Sequence, residues 1–388
     1  MRLVTSADPG RPIKLGICAN ALKHGGGFER YAMDLARGLA ARGIEPAFFA
    51  RRFDTALPEF GLVEPHRIGV SLLPGKLRDH WFSWRLRRAK RAAGVDVLIA
   101  CNRVDSSEIA VCGGTHRGFL RAMGRKPTRA DRWQISLESR QYANARVVIA
   151  HSPLMLDELR SLYGLPDEKT RLLYPPVDSA RFSCVGNDAR LALRRRFGFA
   201  DDEIVLLFPS SSHERKGLPL IEAAVRELRL PVVVAVAGRP PERTSERIRY
   251  IGYVKNIEDG YRAADFTILA SKYEPFGLVG IESVMCGTPA ILAANIGCCE
   301  AIAPQWRFVF SPGDASDLRT VLERAVASMR TDRDQRLSTH PTGYDTGIAA
   351  HVDALMAMAV DIAAGTDCTG SRFPITDRQR AIGAGRPS

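Results

Sequence analysis

Two glutamates, Glu274 and Glu282, stand eight positions apart in the stretch "EPFGLVGIE". Between them lie the turn former Pro275, the aromatic Phe276, and an aliphatic run that opens a helix at Gly277 or Leu278. At about 3.6 residues per turn, Glu282 falls about one turn inside that helix while Glu274 stays in the loop before it. The two acids therefore bracket a helix N-terminus, whose bare N–H groups on Gly277 and Leu278 favour an anion such as a diphosphate. There Glu282 can accept hydrogen bonds from a ribose, and Glu274 from a sugar on the other side. The same pair would also serve as plain dipole-complementing acids, and spacing alone does not choose.

A second anion-binding candidate lies in "CANALKHGGGFERY", where Gly25, Gly26 and Gly27 allow close backbone approach before a helix with apolar Tyr31, Leu35 and Leu39. A tight strand-to-helix turn needs glycine for its geometry as well. The pattern is not the G-x-G-x-x-G dinucleotide fingerprint, which argues against a nicotinamide enzyme.

The elements that must position these residues alternate. Strand-like runs "IKLGICA", "EPAFFA", "VDVLIA", "EIAVC" and "RVVIA" are separated by helix-period segments. After the paired prolines of "LLYPPVDSARF" the alternation restarts with "EIVLLFP", "PVVVAVAG", "RIRYIG" and "DFTILA". This is the α/β signature of two Rossmann-like domains in tandem, 1–180 and 186–340, hinged near 175–190. At 388 residues the chain also exceeds one ordinary core. A final helix over 344–364 is expected to pack back toward the N-terminal domain, and 365–388 reads as a disordered tail. No short-period repeat is present.

Composition excludes several classes. No apolar run reaches the roughly 20 residues that span a bilayer, and "MRLVTSADPGRPIKLGICAN" has prolines and a charge where a secretory signal needs an apolar block, so a cytoplasmic protein is expected. The eight cysteines lack a C-x-x-C pair and read as reduced, mostly buried thiols. The histidines show no zinc-ligand spacing, and Asp332 and Asp334 in "TDRDQR" read as a solvated run between a helix and a proline turn, so no metal site is expected. Most of the net charge of +12 sits in "KLRDHWFSWRLRRAKR" (76–91) and "RGFLRAMGRKPTRADRW" (117–133). Basic residues interleaved with aromatics suit an anionic membrane surface; a solvated helix face is the alternative. No nucleic-acid module accompanies the charge, and no nucleic-acid partner is expected.

The chain resembles the retaining GT-B glycosyltransferases of family 4 along almost its whole length. "GGGFERYAMDLARGLAARG" is similar to the family's glycine loop and first helix, "RKG" (215–217) to its phosphate-binding Arg-Lys pair, and "EPFGLVGIESVMCGTPAI" to its E-x7-E signature. Within the family, "GGTHRGFLRAMGRKPTRADRW" resembles the basic acceptor-side segment of bacterial lipopolysaccharide-core hexosyltransferases. The resemblance implies two Rossmann-like domains facing across a cleft, with a sugar-nucleotide donor, a UDP-sugar first, on the C-terminal domain and a glycan or glycolipid acceptor on the N-terminal one.

It also implies roles. Arg215 and Lys216 neutralise a leaving diphosphate, as two fixed cations at a crevice edge can. Glu274 positions the sugar without acting as a nucleophile. Gly26, Gly27, Tyr253, Val254, Phe276, Gly277, Leu278 and Glu282 contact the donor, and His116 takes a catalytic place on the acceptor side. Arg121, Arg125, Lys126, Arg129 and Arg132 form the membrane or acceptor surface. The implied reaction retains anomeric configuration and needs no metal: the acceptor hydroxyl attacks from the leaving-group face while a donor phosphate oxygen takes its proton. A retaining hydrolase would instead need two carboxylates about 5–5.5 Å apart, and no partner acid on the N-terminal side suggests itself. A sugar-nucleotide epimerase of the same fold and a non-catalytic nucleotide-sugar-binding protein are the alternatives.

Overall fold

Strand segments such as LGIC, AFFA, VLIA, IAVC and VVIA are buried at every position, as parallel strands covered by helices on both faces must be. The computed structural model of the chain describes residues 12–71, 74–337 and 339–365. The expected disordered tail, Gly365 apart, and Cys368 lie outside the described residues. The described residues divide into two units, one of residues 12–176 together with 346–365, the other Val177–Asp345.

In the first unit the strands are β1 (Leu15–Cys18), β2 (Ala21–Leu22), β3 (Ala47–Ala50), β4 (Arg52–Phe53), β5 (Glu64–Arg67), β6 (Val97–Ala100), β7 (Ile109–Cys112), β8 (Val147–Ala150) and β9 (Thr170–Leu172). Seven form one parallel sheet in the order β5-β3-β1-β6-β7-β8-β9, and β2 and β4 pair separately. Its helices are α1 (Gly27–Ala40), α2 (Arg78–Ala92), α3 (His116–Ala122), α4 (Arg129–Asn144) and α5 (Pro153–Tyr163). Side chains alternate along each strand. Leu15 and Ile17 face one core with Tyr31, Leu35 and Leu39 of α1, while Cys18, Phe49 and Leu98 face the other with Phe82 and Leu86 of α2.

The second unit carries β10 (Ile204–Ser210), β11 (Val232–Gly238), β12 (Ile248–Gly252), β13 (Phe266–Leu269), β14 (Ala290–Ala293) and β15 (Arg307–Phe310). They form a parallel sheet ordered β12-β11-β10-β13-β14-β15. Its helices are α6 (Asn187–Arg196), α7 (His213–Lys216), α8 (Leu218–Arg226), α9 (Ile257–Ala263), α10 (Leu278–Met285) and α11 (Ala315–Leu337). Asp332 and Asp334 fall within α11, not in a run beyond it: no proline or glycine interrupts 315–337. The order reverses between β10 and β13, and α/β sheets bind ligands beyond the strand ends at such a reversal.

The last helix, α12 (Ile348–Ala363), belongs to the first unit. Its Val352, Leu355, Met356 and Met358 enter the α1 core, each such side chain contributing about 1.5–3 kcal/mol when fully buried.

Candidate active site

Two connections leave the reversal point of the second unit. The chain leaving β10 enters the single turn of α7, then passes through Gly217 in the left-handed region (φ 82°) into α8. A Cβ at Gly217 would lie 2.1 Å from the Ala270 carbonyl oxygen, so only glycine lets α7 approach the chain leaving β13 this closely. That second connection, Ala270–Gly277, is fastened on both sides. Lys272 N donates to the Arg215 carbonyl at 2.9 Å, Asn295 Nδ2 donates to the carbonyls of Ser271 and Lys272, and Cys298 N donates to the Phe276 carbonyl at 2.6 Å.

Arg215, Lys216 and Glu274 meet there. Arg215 Nη1 donates to the Tyr273 carbonyl at 2.9 Å and stands 3.4 Å from Glu274 Oε2, which Ser271 Oγ also approaches at 3.4 Å. The longer contacts leave the carboxylate loosely held, beyond the usual 2.7–3.2 Å. Lys216 Nζ donates to the Pro209 carbonyl at 3.0 Å. Burial pushes its ammonium below the usual lysine range, against the pull of Glu274 and with repulsion from Arg215 added.

Gly277, left-handed at φ 90°, caps α10, and Leu278 is its first residue. Phe276 is buried beneath the turn. Glu282 is also buried, and its Oε2 accepts from the Tyr261 hydroxyl of α9 at 2.9 Å. Nothing in the 274–282 stretch announces Tyr261, Ser271 or Asn295: they come from neighbouring elements, and only the fold brings them in. Tyr253 follows β12 and is 82% exposed, and Val254 is half-buried; neither is hydrogen-bonded to the Arg215 cluster.

In the first unit, Gly26 caps α1 and Gly27 is its first residue, both exposed, with Glu29 in the first turn. The ring of Phe28 presses on Gly113 after β7, where a Cβ would lie 1.6 Å from Phe28 Cζ. His116 opens α3. Its backbone N–H donates to Glu138 Oε2 at 2.9 Å, and its Nε2 lies 2.8 Å from Asp131 Oδ1. An ionised carboxylate only accepts, so Nε2 carries the proton. Bonds from Thr128, then from His116, hold Asp131 below the usual carboxylate range. His116 thus has acidic partners in Asp131, at the far end of its own segment, and Glu138, which lies beyond it; only the fold brings either to His116. Among the described residues no group of three or more His, Cys, Asp or Glu converges as metal ligands do.

The basic segments have distinct geometry. The first builds α2, where Trp81 and Trp84 are 40% and 42% exposed with rings 5.0 Å apart, and the Arg88 guanidinium sits 4.2 Å over Trp84. The second runs through α3 into α4, where Trp133 is 50% exposed. His80 Nε2 donates to the Trp133 carbonyl at 3.2 Å and links the two helices. Arg121, Arg125, Lys126, Arg129 and Arg132 are exposed. No described helix is long and apolar enough to cross a membrane.

Residues 25–181 match the Glycosyltransferase Family 4 model, and residues 190–339 match Glycosyl transferases group 1. A "probable transglycosylase" of Burkholderia thailandensis is 66% identical over 353 residues, 90% of this chain and 97% of that relative. The chain belongs to the GT-B glycosyltransferases. Solved structures share the fold. WaaG, a glycosyltransferase involved in lipopolysaccharide biosynthesis, matches with TM-score 0.73 at 18% identity, covering 90% of this chain and 100% of that one. Anabaena HepE in complex with UDP-glucose matches at 0.64 and 16%, covering 96% and 98%. In this glycosyltransferase the Family 4 match lies in the first unit except for its last few residues, which enter the second, and the group 1 match spans the Arg215–Glu274 cluster.

Proposed function

We propose that this glycosyltransferase moves a hexose, with retention of configuration and without a metal, from a nucleotide diphosphate sugar to a hydroxyl of a glycan or glycolipid in cell-surface polysaccharide or lipopolysaccharide-core assembly. The observation that carries the reading is the Arg215–Lys216–Glu274 cluster at the strand-order reversal, beside the N-terminus of α10. Two cations and a helix start suit a departing diphosphate, and removal of one such stabiliser costs about 10²–10³-fold in turnover. Glu274, loosely held, is available to a sugar hydroxyl; Glu282, oriented by Tyr261, takes the ribose. The acceptor belongs to the first unit, where Asp131 orients His116. A donor phosphate oxygen takes the acceptor proton as the sugar bond breaks on the same face. The UDP-glucose complex of HepE makes a uridine nucleotide the first donor to test. The exposed tryptophans and arginines support a peripheral place on the inner membrane face.

The test is titration with UDP-sugars, followed by NMR of the product formed on membrane lipid extracts. Expected are donor binding, a product of retained anomeric configuration, and loss of transfer in Glu274→Gln with donor binding kept within a few-fold. An inverted product overturns the mechanism. A converted sugar without acceptor favours an epimerase, and binding without any turnover favours a non-catalytic binder.

A further inference from the structure

Between α3 and α4 the first unit holds a pocket of about 850 Å³. Arg117, Arg121, Arg125, Arg132 and Arg140 line it, and no acidic residue does. Two of these cations are fixed by the protein. Arg117 Nη1 donates to the Leu162 carbonyl at 2.6 Å with its guanidinium 5.0 Å from the Tyr163 ring, and Arg140 bonds Asp105 and Ser136. The side chains of Arg121, Arg125 and Arg132 make no hydrogen bond or ion pair among the described residues. The nearby acid in the sequence, Asp131, is already taken by Thr128 and His116. Arg140 has its counter-charge in Asp105, whereas Arg121, Arg125 and Arg132 have none among the described residues; such like charges repel one another, and an anion on the pocket relieves that repulsion. The guanidinium fork matches phosphate oxygens in pairs.

The rest of the lining is Leu120, Pro127, Ile135 and Ala143, with the hydroxyls of Ser136 and Ser139 beside them. A bare inorganic anion has no use for apolar side chains such as Leu120 and Ile135, whereas a hydrocarbon chain attached to the anion does. Trp133, half-exposed, follows Arg132 directly on α4 and suits an interfacial rim.

We propose that this pocket is a discrete site for the phosphate headgroup of an amphiphile, with the first part of its chain against Leu120 and Ile135. The inference rests on the glycolipid reading above and deepens it: the acceptor's lipid phosphate is held here at a defined stoichiometry, apart from any diffuse attraction of the surface.

Calorimetric titration of the full chain with farnesyl phosphate, kept below its micelle concentration and with UDP-glucose saturating, tests it. The expected result is one saturable site, weakened about tenfold or more in Arg121→Gln/Arg125→Gln/Arg132→Gln, the loss of a single charge-assisted bond of about 1.4 kcal/mol. Farnesol should not bind, and inorganic phosphate should bind far more weakly. Absence of a farnesyl phosphate site, equal binding by the triple variant, or equal binding of farnesol overturns the proposal. Inorganic phosphate binding as tightly as farnesyl phosphate overturns the amphiphile and leaves a plain anion site. UDP-glucose binding by the same samples verifies folding and separates the two readings: donor binding and transfer to a soluble acceptor without a farnesyl phosphate site sinks this inference alone, whereas loss of donor binding in the wild type sinks the function it rests on.

Discussion

The Lys216 ammonium has one described hydrogen-bond partner, the Pro209 carbonyl, and burial holds it below the ordinary lysine range. A diphosphate arriving beside it favours the charged form and raises that pKa again. Donor binding at alkaline pH is therefore accompanied by proton uptake, visible as a binding enthalpy that changes with the ionisation enthalpy of the buffer. Lys216→Ala should abolish the uptake and lower turnover by roughly 10²-fold; unchanged proton uptake in that variant would assign the titration to another group. Glu282 argues differently. Its place one turn into α10 is legible from spacing because helix geometry is local, but its partner Tyr261 comes from α9 and is invisible in the stretch that holds the acid.

At the scale of elements, the apolar runs that read as strands are strands because burial on both faces leaves no alternation to obscure. β5 escaped that reading. Its EPHR segment has no apolar pattern and pairs only at the sheet edge, where backbone bonds to β3 suffice. The period of α12 is equally legible, yet its anchor is not: His351 accepts from the Tyr31 hydroxyl of α1, 320 positions away, at 2.8 Å, and donates to the Tyr174 carbonyl. His151, after β8, packs edge-on to the same Tyr31 ring, and its Nε2 is buried without a hydrogen-bond partner. Burial pushes His151 down to about 3 and His351 down to about 4. The unfolded chain takes up protons near pH 6.5 and the folded one does not. Stability is therefore full above that pH and falls as pH drops toward 4, by about 1.4 kcal/mol per pH unit for each histidine. His151→Phe keeps the ring contact and removes the unpaired nitrogen. It should leave stability at pH 7 equal or higher and roughly halve the loss between pH 6 and pH 5. Urea unfolding followed by tryptophan fluorescence measures this; an acid loss as steep as in the wild type would clear His151 of the effect.

Across the whole molecule, most of the charge of +12 sits in two segments that build α2, α3 and the start of α4, all in the first unit. Three tryptophans stand 40–50% exposed among them, and such amphipathic rings suit a membrane interface. On an anionic bilayer each Lys or Arg contributes about 1 kcal/mol, and the rings settle at the headgroup level. Replacing Arg121, Arg125, Lys126, Arg129 and Arg132 by glutamine should then remove up to about 5 kcal/mol of surface attraction. Wild-type sedimentation with anionic vesicles should weaken as salt shortens the screening length below about 8–10 Å. Replacing Trp81, Trp84 and Trp133 by alanine should lower binding to anionic and neutral vesicles alike, because insertion of the rings does not depend on lipid charge. UDP-sugar binding should be untouched in both variants, since neither replaces a residue of the expected donor site. Equal, salt-insensitive sedimentation with both vesicle types would clear the arginines of the attraction, and none with either would leave α2 and α4 as solvated faces and move the acceptor to a soluble glycan.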